Sequence, residues 1–425
     1  MAREDAQPVT SPAAVRLLTV GRVLALLLPL LLIIGPGPAD VGASLLACLF
    51  VGYAIITRDF SILRAWWFRI ALIFWAFMLA TAPFALADPS EALNRGLTFL
   101  RFPVLAAALG FWILKEPEWR NRYVAVLTAV VVFSALWALA EFVWTTQVVQ
   151  SYSRPLRLYG PFTDRKVGIF LTKLMFPCLG LAALWAVAGT SRRLVPLFAG
   201  LLLFLLAIFL SGERSAFLLA GLGCLIFAFS IGLGQIRRLM IVALFIGLIG
   251  GLGAYLVSPG IFDRQIKSTV TMLSRLPVTT YGLLWQSGIE VGELSPVIGV
   301  GGKNFRILCP EIRSPTLIFR GTDYREGLIF CSTHPHSVYS EIFSEHGVIG
   351  LAIFVAMIGG LAATYRGQKR DPVILGAGLG ILLTLWPLVP HGSFFNNWNG
   401  IVFWSLVGVM VSHTTASANR RARAV

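Results

Sequence analysis

Charged residues are scarce in this sequence, acidic ones above all. Only 13% of the 425 residues are charged, with 20 Asp and Glu against 35 Lys and Arg, whereas soluble domains carry about 25%. A soluble chain of this length would form two or three domains, each with a polar surface. The charges present are too few to supply those surfaces, so the composition excludes a soluble enzyme and a disordered protein.

Cysteine and histidine are also few, at five residues each. This cysteine content excludes a disulfide-rich scaffold. Cys48, Cys178 and Cys224 lie in apolar runs and are expected to be small core residues. Cys309 and Cys331 lie in the one long polar segment. In an oxidising compartment they would pair and close a loop of about 20 residues; two unpaired thiols are the alternative.

Hydrophobic residues are abundant instead, at 57% of the chain. About twelve membrane spans of ~20 residues would use a similar share of the sequence. We therefore predict an all-α polytopic membrane protein with about 12 transmembrane helices. The predicted spans are Leu17–Ile34, Val41–Thr57, Trp66–Leu86, Gly96–Leu114, Tyr123–Trp144, Val167–Ala188, Leu194–Leu210, Ser215–Leu233, Leu239–Val257, Val338–Thr364, Val373–Val389 and Gly400–Ser412.

Lys and Arg cluster on alternate connections between these spans, while connections 35–40 and 391–399 carry none. Because cytoplasmic loops are enriched in Lys and Arg, we place the basic connections and both termini in the cytoplasm. Segment 258–337 then lies outside and forms one large periplasmic loop subdomain. It divides the chain into helices 1–9 at 1–257, the loop, and helices 10–12 with a cytoplasmic tail at 338–425.

The densest polar cluster begins at His334-Pro335-His336-Ser337 and runs to Glu345, at the start of the tenth span. Pro335 suits the first position of a helix, and the positive end of a helix disfavours a charged imidazole. His336 is therefore expected to be neutral and able to act as a base near pH 7, with His334 in support. Tyr339 and Glu341 lie close enough in sequence to orient the base or an acceptor. Helix capping is the alternative role.

The same cluster contains metal-ligand types, since two histidines precede Glu341 and Glu345. Residues two apart on a helix face different directions, and the sequence offers no further ligand cluster. We predict no metal site.

Three cations lie at membrane depth. Arg214 follows Glu213 in a break between two spans, and Arg101 and Lys173 lie about six residues inside the fourth and sixth spans. Ionisable groups at such depth cost a few kcal/mol and usually face a cavity or a partner. An ion pair with Glu213, or snorkelling to the interface, is the alternative. Three cations on one side favour a pocket for a lipid-linked anion such as a phosphate.

A glycine-rich stretch in the loop runs Gly299-Val300-Gly301-Gly302-Lys303-Asn304-Phe305. Glycine lets a backbone approach a ligand closely, which makes Gly301 and Asn304 candidates for positioning a substrate. The spacing differs from that of a phosphate-binding Walker A loop. A plain turn is the alternative.

Together these motifs resemble the O-antigen ligase and polymerase superfamily of bacterial envelope enzymes. Trp285, Pro296 and the Gly299–Phe305 turn are similar to one family motif, and the His334–Tyr339 block with Glu345-His346-Gly347 is similar to another. Weaker similarities lie at 160–162 and 212–216, so the resemblance covers about residues 155–365. The chain departs from the family pattern at Lys166 and Ser337, where Asn is usual, and at Tyr281, where Arg is common.

The resemblance implies a GT-C-like glycosyltransferase that needs no metal or other cofactor. Such enzymes move a glycan from undecaprenyl diphosphate to an acceptor hydroxyl, with inversion, at the periplasmic face of the bacterial inner membrane. It points to His336 as the base and to Arg214 as a contact of the diphosphate. Arg275 is the cation nearest in sequence to the family's missing Arg at Tyr281.

Three functions fit these features. An O-antigen ligase uses lipid A–core as acceptor, and a polymerase uses the next lipid-linked repeat. The single large loop directly before the His block favours the ligase. A transporter of an anionic solute is the alternative from another class. The net charge of +15 is assigned to cytoplasmic loops, membrane lipids and an anionic donor rather than to nucleic acid.

Overall fold

The fold was taken from a computed structural model, which describes residues 11–148, 157–187, 194–257, 263–312, 331–366 and 371–423. Within these ranges every regular element is a helix, which confirms the predicted all-α class. The α-helices are α1 Pro12–Ile34, α2 Pro36–Thr57, α3 Trp66–Thr81, α4 Pro89–Phe99, α5 Arg101–Ala107, α6 Pro117–Val148, α7 Val167–Val187, α8 Leu194–Leu210, α9 Arg214–Ser230, α10 Gly234–Val257, α11 Ser268–Ser274, α12 Thr280–Glu293, α13 Phe305–Leu308, α14 Val338–Arg366, α15 Pro372–Thr384 and α16 Asn397–Arg423.

Seven helical stretches among the described residues are long and apolar enough to cross a membrane. They are α1, α2, α3 with the turn after it, the continuous stretch Pro89–Ile113, α6, α7 and α14. The shorter apolar helices α8, α9 and α15 overlap three further predicted spans. The two remaining predicted spans, Leu239–Val257 and Gly400–Ser412, lie in α10 and α16. The architecture is that of a polytopic membrane protein, and twelve crossings stay a prediction.

Helices α7 and α15 pack backbone to backbone in the interior. A side chain at Gly376 would meet the carbonyl carbon of Phe176 at 2.4 Å, and one at Gly180 would meet the carbonyl oxygen of Pro372 at 2.2 Å. Small residues allow this close approach, which replaces the hydrophobic driving force that helices lack inside a bilayer. The pair therefore forms a rigid wall of the bundle.

Helix α14 is broken at Gly347, whose φ is 64°. The loop segment that leads into the glycine turn is hydrogen-bonded to the backbone on both sides of this break. Val348 N donates to Pro296 O (2.8 Å), and Val300 N donates to Ser344 O (2.9 Å). The break frees backbone groups that a continuous helix would use itself. Segment 296–301 is thereby fixed to the helix that follows the two histidines.

The start of α14 differs from the prediction for Pro335. The helix begins at Val338, so the placement of Pro335 in its first position was wrong. The reason lies in His336, whose φ of 57° is left-handed and incompatible with a helix. Ser337 caps the helix instead: its carbonyl accepts from Glu341 N (2.8 Å) and its hydroxyl from Ser340 N (3.3 Å).

The described part of the long loop is largely helical from Asp263 to Glu293. It contains a π-helix at Asp263–Lys267, then α11 and α12. Cys309 and Cys331 are joined by a disulfide, the pair expected from the sequence. Around the disulfide, Val291, Val300 and Phe305 form a small buried cluster of their own. This cluster secures the chain on both sides of the glycine turn.

Candidate active site

One backbone carbonyl orients both histidines of the block. The carbonyl oxygen of His391 lies 3.2 Å from Nε2 of His334 and 3.1 Å from Nδ1 of His336. Because a carbonyl only accepts, each of these nitrogens carries its hydrogen. His334 Nδ1 then accepts from the Thr333 hydroxyl at 3.1 Å. His336 is left with a lone pair on Nε2, which has no hydrogen-bond partner among the described residues.

The backbone of His336 is held in its left-handed conformation by two donors. Trp285 Nε1 (3.2 Å) and His391 N (2.9 Å) both donate to its carbonyl oxygen. A non-glycine residue in this region costs about 1–3 kcal/mol, and such strain clusters at functional sites. The ring of His336 also packs edge-on against Tyr281, with 5.7 Å between centroids, and lies 4.0 Å from the ring of His334.

The environment keeps these imidazoles neutral. Burial lowers the pKa of His336 to about 4, with a further lowering by His334, while its bond to His391 and the charge of Glu341 act in the opposite direction. Burial also lowers the pKa of His334, as do the charges of Arg306 and Arg95. The neutrality expected for His336 therefore arises chiefly from burial rather than from the helix dipole.

Glu341 and Tyr339 are engaged by the scaffold. The buried Glu341 carboxylate accepts from Phe394 N (2.8 Å) and from the Ser393 hydroxyl. The Tyr339 hydroxyl donates to Leu385 O at 2.8 Å. Both contacts tie α14 to segment 385–394, which carries the His391 carbonyl, so these side chains support the histidine geometry.

A cavity of about 530 Å³ opens beside His334. It lies between α4, the turn before α7, the glycine turn and the start of α16. Its wall carries four cationic side chains, one carboxylate and several amides. The charged residues are Arg95, Lys166, Lys303, Arg306 and Asp164; the amides are Asn396, Asn397 and Asn399.

The four cations differ in how strongly the protein already engages them. Lys303 pairs with Glu91 at 2.6 Å, and Arg95 donates to Phe395 O at 2.6 Å. Lys166 pairs with Asp164 at 3.6 Å, and burial lowers its pKa, although Asp164 acts against that. Arg306 is exposed and has no hydrogen bond or ion pair with a described residue. It is the cation best placed to meet an incoming anion.

The cations singled out from the sequence lie outside the described wall of this cavity. Arg101 pairs with Asp40 at 2.9 Å and donates to Asn397, which does line the cavity. Lys173 is buried in α7, and its charge contributes to lowering the pKa of His391 to about 3, after burial itself. Arg214 begins α9, and Arg275 is exposed before α12.

Gly301 and Asn304 hold the turn against the rest of the bundle. A side chain at Gly301 would lie 2.4 Å from the Cβ of Ala85. The buried Asn304 side chain accepts from Ala87 N (3.0 Å) and Asp88 N (2.6 Å) and donates to Asp88 O (3.1 Å). Through these contacts the turn places Lys303 and Arg306 at the cavity.

Sequence reasoning missed several residues of this site. Arg306 directly follows the glycine motif, and His391 lies in a connection that drew notice only for its lack of charge. Lys166 was noted as a departure from the family pattern, without a role. A search of the uncharged connection 391–399 for His and Asn would have found the segment that carries His391 and the three Asn residues of the cavity. Arg95 gave no signal, because only tertiary contact brings it there.

The described residues contain no group of three or more His, Cys, Asp or Glu placed to hold a metal ion. No curated protein matches the chain. Residues 199–355 match the family model described as O-antigen ligase. The matched stretch includes the glycine turn, both histidines and the break in α14. This part of the chain is therefore similar to the O-antigen ligase-like superfamily, in agreement with the resemblance of its motifs.

Proposed function

We propose that this protein transfers a glycan from undecaprenyl diphosphate to an acceptor hydroxyl, with lipid A–core as the acceptor. The observation that carries the proposal is a cation-lined cavity with His334 on its wall, next to His336. The His336 ring lies 4.0 Å from that of His334, is neutral, and has a lone pair with no partner among the described residues. The cations and the histidine each meet one chemical requirement of the reaction. A departing diphosphate needs positive charge, and the acceptor hydroxyl needs a base.

In the proposed reaction, His336 Nε2 takes the proton of the acceptor hydroxyl. The acceptor oxygen attacks the anomeric carbon as the bond between that carbon and the diphosphate oxygen breaks. The electron pair of the broken bond goes to the diphosphate, and the attack from the opposite side inverts the anomeric centre. Arg306, Lys303 and Lys166 stabilise the negative charge on the leaving group. Arg214, Arg101, Lys173 and Arg275 stay sequence-based candidates for further contacts with it.

The choice between ligase and polymerase concerns the acceptor alone, because donor and chemistry are shared. A single described outer subdomain next to the histidines supports the ligase. A transporter of anions is less well supported, since the cavity adjoins the N-terminal end of α14 and not its middle. The site is proposed to face the periplasm of the bacterial inner membrane, with both termini in the cytoplasm.

The test compares His336→Ala with His334→Ala in proteoliposomes supplied with lipid-linked glycan and lipid A–core. Loss of a general base typically lowers the rate by about 10²–10⁴-fold, so His336→Ala should bind donor but scarcely transfer glycan. His334→Ala should lose less, because the His391 carbonyl still orients His336. His391→Ala is the matched control, since it removes a third imidazole and keeps the carbonyl.

Three outcomes would change the proposal. Near-normal transfer by His336→Ala with a dead His334→Ala would exchange the roles of the two histidines. Activity in both variants would leave the block as a helix cap. Transfer to a second lipid-linked repeat, and not to lipid A–core, would identify a polymerase.

A further inference from the structure

A second cavity, of about 970 Å³, lies far from the histidines. It is bounded by the start of α3, the π-helix Ala108–Ile113 that continues α5, and the last turns of α14. Gly359 lines it and lies 21 residues after Val338, where α14 begins. Gly359 belongs to the half of α14 that follows the break at Gly347 and leads away from the histidines. The second cavity also adjoins the basic connections at Arg64 and Lys115, which the charge pattern predicts to be cytoplasmic, so we expect it at the membrane interface opposite the histidines.

Two cations on its wall have no partner among the residues that the structure describes. Arg64 ends a short 3-10 helix, and Lys115 follows the π-helical segment. Neither has a hydrogen bond or ion pair with any residue that the structure describes. The one carboxylate on the wall, Asp59, accepts from Ser61 N at 3.0 Å. The polar side of the second cavity is thus ready for an anion.

The other side of the second cavity is apolar. Trp66, Trp67, Ile70 and Phe111 form it, and Gly359 leaves open space where a side chain would stand. A free phosphate would make no favourable contact with this apolar wall, whereas an acyl chain would bury it. The combination of unpaired cations and an adjoining apolar wall is complementary to a lipid with an anionic headgroup.

The segment that leads into the second cavity has the pattern of a membrane-interface anchor. Its large apolar side chains are exposed, with Trp66 at 70%, Phe60 at 50% and Leu63 at 43%. Basic residues alternate with them, and the Arg69 guanidinium lies 5.6 Å from the centre of the Trp66 ring. Aromatic and basic residues in this arrangement are typical of chain lying at the headgroup level.

We propose that the second cavity binds one anionic glycerophospholipid, with its phosphate at Arg64 and Lys115 and an acyl chain along Trp66, Ile70 and Phe111. Such a lipid would fill the space between α3 and the end of α14, the helix whose other end carries the candidate active site. Binding of this lipid does not depend on whether the protein transfers a glycan.

The test titrates the full chain in detergent with phosphatidylglycerol or phosphatidylethanolamine and counts bound lipid by native mass spectrometry. Phosphatidylglycerol should be retained in preference. Arg64→Gln and Lys115→Gln should each lower its affinity about fivefold, while Arg238→Gln, an exposed cation away from the second cavity, should not. Gly359→Leu should also lower retention by filling the space. Gly221→Leu is its control, because that helical glycine likewise has nothing within 4 Å.

Excess inorganic phosphate distinguishes a lipid site from a site for a soluble anion. The expected result is no displacement of phosphatidylglycerol, because the acyl chain contributes to binding. Displacement by phosphate would overturn the lipid assignment. Equal retention of the two lipids, or unchanged retention in both Arg64→Gln and Lys115→Gln, would overturn the site itself.

Discussion

Two features of its surroundings set the protonation of His336, the proposed base. The carbonyl of His391 fixes the hydrogen on Nδ1, and burial keeps the ring neutral. A base with so low a pKa is weak before substrate arrives. A bound diphosphate adds negative charge near the ring and favours the imidazolium. Substrate binding should therefore strengthen the base at the moment when it is needed.

We expect two different acid limits in the pH dependence of transfer. The acid limit of kcat/KM reports the pKa of the base in the free enzyme. It should lie near pH 4, because burial lowers the pKa of His336 to about 4. The limit of kcat should lie at higher pH, because bound diphosphate raises that pKa. Initial rates over a pH series at varied donor concentration measure both. Coincident limits near pH 6.5 would contradict the buried, neutral His336.

Arg306 should act chiefly in binding the donor. Charge-assisted hydrogen bonds contribute about 1.5–3 kcal/mol, so Arg306→Gln should raise the KM for the donor by at least about tenfold, with a smaller change in kcat. Arg306→Lys should recover part of the loss. Arg122→Gln is the control, because Arg122 is exposed and pairs with Glu118 on its own helix. Unchanged KM in Arg306→Gln would remove this residue from the donor site.

The residue types at the site were predictable from the sequence, but their partners were not. The His block stood out by composition, and the resemblance indicated His336 as the candidate base. No local pattern connects His336 to the carbonyl of His391, because the two are 55 residues apart. The same holds for Arg95, whose neighbour Phe395 is 300 residues away.

At the scale of elements, the junction between the glycine turn and the break in α14 holds the site together. Gly299 has φ +80°, and a Cβ there would lie 2.2 Å from His346 N. Its partner in the break, Gly347, has φ +64° and would place a Cβ 2.4 Å from Val297 O. Both positions demand glycine for conformation and for space.

Gly299→Ala should therefore destabilise the loop subdomain and lower the melting temperature of the purified protein. Strain at this backbone conformation alone costs about 1–3 kcal/mol, and the overlap with the backbone of α14 adds to it. Gly221→Ala serves as the control, because a helical glycine with open space around it gains about 1 kcal/mol as Ala. Thermal unfolding in detergent measures both. Equal melting temperatures for Gly299→Ala and the native protein would show that the junction is loose.

Hydropathy located the helices well, because apolar length is a local property of the sequence. It failed at the break in α14, which lies inside a predicted continuous span. The break depends on backbone bonds to Pro296 and Val297, far earlier in the chain. Only the motif similarity that included Gly347 pointed to that residue, and it gave no reason for it.

At the scale of the whole molecule, charge is divided between the two ends of the bundle. The first cavity carries four cations on its wall, and we propose that it binds the anionic donor. At the other end some basic residues are paired, as Arg120 is with Asp371 at 2.8 Å, and others, such as Arg238, are exposed. The distribution of Lys and Arg determines the orientation of a membrane protein during insertion, because short loops rich in these residues stay in the cytoplasm.

The predicted orientation can be measured with single cysteines. The expectation that Cys48 is a core residue was wrong, because the structure leaves it exposed on α2. In a Cys48→Ser background, Glu293→Cys, at the exposed end of α12, should react with a membrane-impermeant maleimide in outer-membrane-permeabilised cells. Arg238→Cys, at the start of α10, should react only after lysis. The remaining free thiols, Cys178 and Cys224, are buried and should stay silent. The reverse pattern would place the histidines in the cytoplasm, where periplasmic transfer of a glycan is impossible.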